Sequence, residues 1–178
     1  MNRSTAILAA ALGLSLAGQA QEAGVGVRLN GTAGATLYAP LKLNDAFMLE
    51  GTLSHQQFKE ETTPAAGSTT TFETKATEVG VGLFWLKGLG ESTRAYAGPR
   101  LSYGKESTTS GLRADSQGFT VTPTLGVEYF PVRHVSLGGE IGLAYGHQTG
   151  HATDVSGEAS TRKTQAYTVS SVVLRYYF

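Results

Sequence analysis

Eight antiparallel strands closed up-and-down into an all-β barrel is the fold this sequence predicts, on three observations. Apolar residues alternate at period two through most of the chain, no 3.6-residue helical period competes with them, and the connections switch between short and long. The alternating rows are Val25, Val27 and Leu29; Phe47, Leu49, Gly51 and Leu53; Val79, Val81, Leu83 and Trp85; Phe119, Val121, Pro123, Leu125, Val127 and Tyr129; and Val135, Leu137, Gly139, Ile141, Leu143 and Tyr145. Each row reads as a strand with one apolar face.

Ahead of the first row lies a stretch assigned to export. Met1-Asn2-Arg3 is positive, Ala6 to Gly18 is an apolar run too short for a stop-transfer helix, and Gly18-Gln19-Ala20 offers small residues for cleavage. The expected division is a cleaved signal peptide over 1–20 and a barrel over 21–178. The lack of cysteine suits an oxidising compartment. Asn30-Gly31, a dipeptide suited to positive φ, predicts a tight hairpin between strands at 22–29 and 33–41. Reading 24–41 as one strand is the alternative, and it would leave seven. The other strands are expected at 46–58, 72–86, 93–104, 118–130, 135–147 and 165–178. Between them fall short turns at 42–45, 87–92 and 131–134, and long Thr/Ser/Gly-rich loops at 59–71, 105–117 and 148–164.

The face opposite the apolar rows decides which way the barrel turns. It carries Gly, Ala, Ser and Thr with eight charged residues, the positive Arg28, Arg94, Arg100 and Arg175 and the negative Glu50, Glu78, Glu128 and Glu140. A soluble barrel would turn the apolar rows inward, around a ligand pocket, and would then show water a charge-poor wall. A transmembrane barrel turns them to lipid and buries the charges in a side-chain-filled lumen, where each needs a partner of opposite sign. The balanced set favours the second. Similar distances from the short turns suggest Glu78 with Arg100, Arg94 with Glu128, and Glu140 with Arg175.

Aromatic placement agrees with a membrane. Phe119 to Tyr129 and Val135 to Tyr145 each span a height of about 25 Å at about 40° of tilt, the thickness of an outer-membrane apolar band. Phe47, Trp85, Tyr129, Tyr176 and Phe178 gather at the short-turn end and Tyr103, Phe119 and Tyr145 at the other, as two interfacial girdles. Eight strands leave a lumen just wide enough for side chains, so Phe84, Tyr96, Phe130, Tyr177 and the charges should fill it and allow at most a narrow pore.

The segment SSVVLRYYF places Val172, Leu174, Tyr176 and Phe178 on one parity and Arg175 on the other. It resembles the C-terminal assembly signal of bacterial outer-membrane β-barrels, which the barrel-assembly machinery recognises by strand pairing. With GVGVRLN and GATLYAPLKLNDAFMLEG (24–30 and 34–51), the chain resembles the small OmpA/OmpX-type, "porin-like" barrels. The resemblance implies residence in the bacterial outer membrane among lipid and lipopolysaccharide, periplasmic short turns and extracellular long loops. It also implies a structural or surface-interaction role, in envelope integrity or adhesion, with a possible extracellular partner for the loops.

Enzymatic readings are weaker. Some small barrels modify lipid A at the rim, and Ser54-His55 or His147 with His151 would be the candidates, because a nucleophile needs an adjacent base. No oriented carboxylate accompanies either pair, and the expectation is a protein that is not an enzyme. His147 and His151 alone, without an acidic or Cys cluster, do not make a metal site. No dinucleotide or phosphate-loop fingerprint calls for a cofactor, and 14 Lys+Arg against 14 Asp+Glu give no basic surface for nucleic acid. Lipid-facing Gly51, Gly139 and Pro123 serve either curvature or oligomer packing.

Overall fold

The computed structural model describes residues 22–29, 35–62, 70–109, 113–154 and 157–178. They form eight strands, β1 (Glu22–Leu29), β2 (Ala35–Asn44), β3 (Phe47–Thr62), β4 (Thr70–Gly88), β5 (Thr93–Thr109), β6 (Arg113–Val132), β7 (Val135–Asp154) and β8 (Gly157–Tyr177). Each pairs antiparallel with the next, and β8 closes on β1. The fold class is as the alternation predicts, and 24–41 is two strands. The expected Asn30-Gly31 turn and the expected signal peptide lie outside the described residues.

Closure and tilt follow from the register. Stepping across the ladder from Arg28 through Thr36, Ser54, Glu78, Gly104, Gly118 and Gln148 arrives at Lys163. Arg28 itself pairs Val173 across the closing seam, ten residues further along β8. A stagger of that size on eight strands requires the strongly tilted geometry of a small barrel. At the seam, the Phe178 N–H donates to the Ala23 carbonyl at 2.8 Å.

The short turns fall where expected. At the β2–β3 turn the Ala46 N–H donates to Asn44 Oδ1 at 2.8 Å, the local bond that suits Asn to this position. The long connections are a correction. β3 runs to Thr62, β5 to Thr109 and β7 to Asp154, so much of 59–71, 105–117 and 148–164 is strand. Above the apolar band a strand needs no apolar face, so its alternation fades without the strand ending. Threonine, taken there as a loop signal, is β-branched and favours the pleated sheet.

The rows point as a membrane barrel requires. Trp85 is 60% exposed and Ile141 61%, while Glu50 is 0% and Arg175 1% exposed. An inward-facing apolar pocket is thereby ruled out among the described residues. Glycine makes the lumen wide enough at Gly126, where an added Cβ would lie 2.2 Å from Tyr96 Cζ.

Candidate functional site: a charge plug beneath a polar vestibule

The lumen divides into two parts. Toward the short turns it is filled by the buried rings of Tyr38, Phe84, Tyr96 and Tyr177 with Met48, and by a connected set of charges. Arg175, from β8, is the hub. Its Nη2 donates to Glu50 Oε2 at 2.6 Å and Glu140 Oε1 at 3.1 Å, and its Nη1 donates to Glu128 Oε1 and to the Tyr96 hydroxyl. Arg100, from β5, reaches the same acids, with Nη2 2.6 Å from Glu50 Oε1 and 3.2 Å from Glu140 Oε1. Lower in the barrel, Arg94 Nη2 donates to Glu128 Oε2 and to the Tyr177 hydroxyl, both at 2.7 Å.

Tyrosines complete the set. The Tyr96 hydroxyl donates to Glu140 Oε1 at 2.8 Å and the Tyr38 hydroxyl to Glu140 Oε2 at 3.3 Å. The Tyr38 ring also lies beneath the guanidinium carbons of Arg28, Arg100 and Arg175, 5.2–5.4 Å from its centroid. The Phe130 and Tyr177 rings flank Arg94 at 4.9 and 5.1 Å. Such a network offsets the desolvation of its charges only because nearly every one is paired and hydrogen-bonded.

The individual pairings differ in part from the expected ones. Arg94 and Glu128 are ladder partners and bond each other, and Glu140 meets Arg175. Glu78 does not meet Arg100. Arg100 sits opposite Gly82 in the ladder, four residues along β4 from Glu78, about 13 Å at the usual rise. Glu78 instead stands on the upper wall, and among the described residues it has no ion pair. Tyr38 was missed, although it shares the parity of Thr36 and Pro40 opposite the apolar Leu37.

Above the plug lies a cavity of about 530 Å³, whose lining includes Arg28, Ser54, Glu78, Thr120, Tyr167 and Ser171. The candidate rim chemistry is not assembled. The Ser54 side chain lines this cavity while His55, next on the strand, points to the opposite face, where its Nδ1 lies 2.9 Å from Thr77 Oγ1. His147 and His151 share the outer face four residues apart, about 13 Å along the strand, too far to converge on one ion. The His147 ring lies 3.3 Å from Thr164 Oγ1. No cluster of three metal-ligating side chains occurs among the described residues.

The girdle residues stand outward at two levels. Phe47 and Trp85 pack with ring centroids 5.8 Å apart at the short-turn end, where Tyr129 and the Tyr176–Phe178 pair also lie. Tyr103 and Phe119 pack at 4.8 Å at the other end, near the outward-facing Tyr145. Val172, Leu174 and Tyr176 face outward on β8, as does Phe178 just after it, and Arg175 faces inward. A closed sheet with an apolar belt between aromatic rings and its charges inside defines an integral membrane β-barrel.

No family model and no curated protein matches the sequence. Solved structures do. The outer membrane protein OprG of Pseudomonas aeruginosa matches at 12% identity and TM-score 0.58, over 88% of this chain and 93% of that one. A major outer membrane protein of Thermus thermophilus matches at 14% and 0.55, over 88% and 98%. The N-terminal β-barrel domain of P. aeruginosa OprF matches at 11% and 0.52, over 89% and 98%. The architecture is that of small eight-stranded outer-membrane β-barrels.

Proposed function

We propose that the protein is a non-enzymatic outer-membrane surface protein, a plugged barrel that holds a raised sheet outside the cell for contact with a partner. The observation that carries this reading is the unequal height of the wall. β1 ends at Leu29 opposite Val172, and β2 begins at Ala35, one residue before Thr36 pairs Ser54. β3 to β8 continue well past those levels, up to Asp154 paired with Gly157. Among the described residues, the upper parts of β3 and β8 have no ladder partner on the side facing β2 and β1. Short turns placed in the periplasm put this six-stranded sheet outside the cell, with edges on β3 and β8 that no described strand pairs. An open edge presents unpaired N–H and C=O groups that an extended segment can join.

The same geometry argues against a diffusion channel, because the buried rings and ion pairs occupy the short-turn half of the lumen. The test has two arms. Planar bilayers should show no large stable conductance, and such a conductance would remove the plug from the account. In cells, joining β3 to β4 just above Ser54 and Glu78 should leave the heat-dependent gel mobility of a closed barrel intact while lowering attachment to surfaces or to other cells. Unchanged attachment would show that the raised sheet is not the contact surface.

A further inference from the structure

One side of the membrane belt departs from the rest. On β8 the outward residues above Val172 are Ser170 and Thr168, and both are exposed. Ser170 is the ladder partner of Ile141, in the middle of the apolar band, and Thr168 is the partner of Leu143, one step nearer the rim. At the depth of Ser170 the other strands turn apolar residues or glycine outward, such as Leu37, Gly51, Val81 and Leu125. Lipid chains can neither donate nor accept a hydrogen bond, and the side chains of Ile141 and Leu143 cannot answer the two hydroxyls either.

The backbone is irregular at the same place. The β6–β7 ladder passes from the Val121–Tyr145 pair to the Thr124–Gly142 pair, which leaves Pro123 and Leu143 unpaired in the ladder where proline has no N–H to give. Pro99 breaks the β4–β5 ladder in the same way, between Gly82–Arg100 and Trp85–Ala97, but no outward Ser or Thr flanks it. Around Pro123 a recess of about 530 Å³ opens on the outer surface, and the outward members of its lining are Pro123, Leu125, Ile141, Thr168 and Ser170. Hydroxyls, an interrupted ladder and a hollow coincide on the β6–β8 face.

We propose that a second copy of the barrel docks on this face, two-fold about the membrane normal, with the two Ser170 side chains meeting at the axis and Thr168 beside them. A hydroxyl both donates and accepts, so the patch is complementary to itself, which is what a two-fold contact requires. In lipid a hydroxyl gains a hydrogen bond from a protein partner that acyl chains cannot offer. Leu125 and Ile141, one and two strands away in the same ladder row, supply the apolar contact around it. A two-fold axis along the normal keeps both copies the same way up in the membrane. The inference does not rest on the raised sheet, since the contact lies below it, within the apolar band.

The chain has no cysteine, so a single replacement reports contacts without background. In lipid vesicles, a membrane-permeant oxidant should link Ser170→Cys barrels into disulfide dimers, because a bond of that geometry forms only between close backbones. Val81→Cys barrels, altered in the apolar band on β4 across the barrel, should stay largely monomeric. Equal linking of the two variants would mean random collision and overturn the proposal, as would no linking in a Ser170→Cys barrel that keeps the heat-dependent gel shift. Sedimentation equilibrium in density-matched micelles gives the second readout. The unmodified barrel should self-associate reversibly, and Thr168→Val combined with Ser170→Ala should weaken that association by about tenfold or more. A monomer at every ratio of protein to detergent, or unchanged association in the double variant, sinks the contact. Should Ser170→Cys fail to fold, the sedimentation of the unmodified barrel decides alone.

Discussion

The two halves of the lumen are built from the same strands and behave as different materials. Toward the short turns, Met48, Phe84, Tyr96, Val173, Tyr177, Glu50 and Glu128 are buried, and the space is filled. Toward the long hairpins, Ser54, Gln56, Glu78 and Tyr167 line open volume. Size explains the difference. Arginine, tyrosine and phenylalanine stand on the inner face below, whereas Ser, Thr, Gly and Ala dominate it above, and a barrel of fixed diameter is filled by the first set only. The lower half therefore anchors the fold and the upper half is free to carry function.

The largest expected effect comes from unpairing the plug. Glu50→Ala would leave Arg100 and Arg175 short of a carboxylate that both hold at 2.6 Å, and should lower unfolding stability in micelles by about 3–5 kcal/mol. Gln56→Ala, in the vestibule, should change it by less than about 0.5 kcal/mol. Equal losses in urea titrations of the two variants would erase the distinction between the halves.

The outer surface offers a comparison of its own. Ile141→Arg places a charge in the middle of the apolar band and should cost about 2–4 kcal/mol, whereas His151→Arg, further up the same face of β7, should cost nothing measurable. Folding yields into lipid vesicles give the answer, and a tolerated Ile141→Arg would move the membrane band. Smaller still is the packing difference between two inward glycines. Gly126→Ala would drive a methyl into the Tyr96 ring and should destabilise by about 1–3 kcal/mol, while an alanine at Gly104 meets its nearest neighbour at 3.8 Å and should fit, as thermal melting would show.

Legibility in the sequence follows the same divide. Strand number and the inward or outward sense of each residue could be read wherever lipid demands an apolar row, because a one-residue slip would turn a whole strand inside out. That demand ends at the Tyr103, Phe119 and Tyr145 level, and there the reading exchanged strand for loop. Ion pairing was legible for Arg94 with Glu128, which are adjacent in the ladder, and for Glu140 with Arg175, but not for Glu78. Glu78 lies four residues further along β4 from the shared turn than Gly82, the ladder partner of Arg100, so the two belong to different levels. Tyr38 sat in plain view as a lumen residue, but nothing in a single strand says that its ring will lie under three arginines from three other positions of the barrel.

The smallest effect is expected where charges stand in water. Lys59 and Glu61, on the raised part of β3, approach to 2.7 Å with side chains 56% and 55% exposed. The hydrogen bond and charge of Lys59 hold the Glu61 carboxyl below its usual range, so any stability it adds is present above the ordinary carboxylate pKa and is lost as pH falls through the lowered value. Solvent screening leaves too little of that coupling to register in unfolding. A carbon-detected NMR titration should nonetheless place the Glu61 midpoint lower in the native protein than in Lys59→Ala, with both proteins unfolding alike. An acid-dependent loss of stability abolished by Lys59→Ala would mean instead that the raised sheet depends on its surface charges, and that the plug does not dominate the barrel's stability.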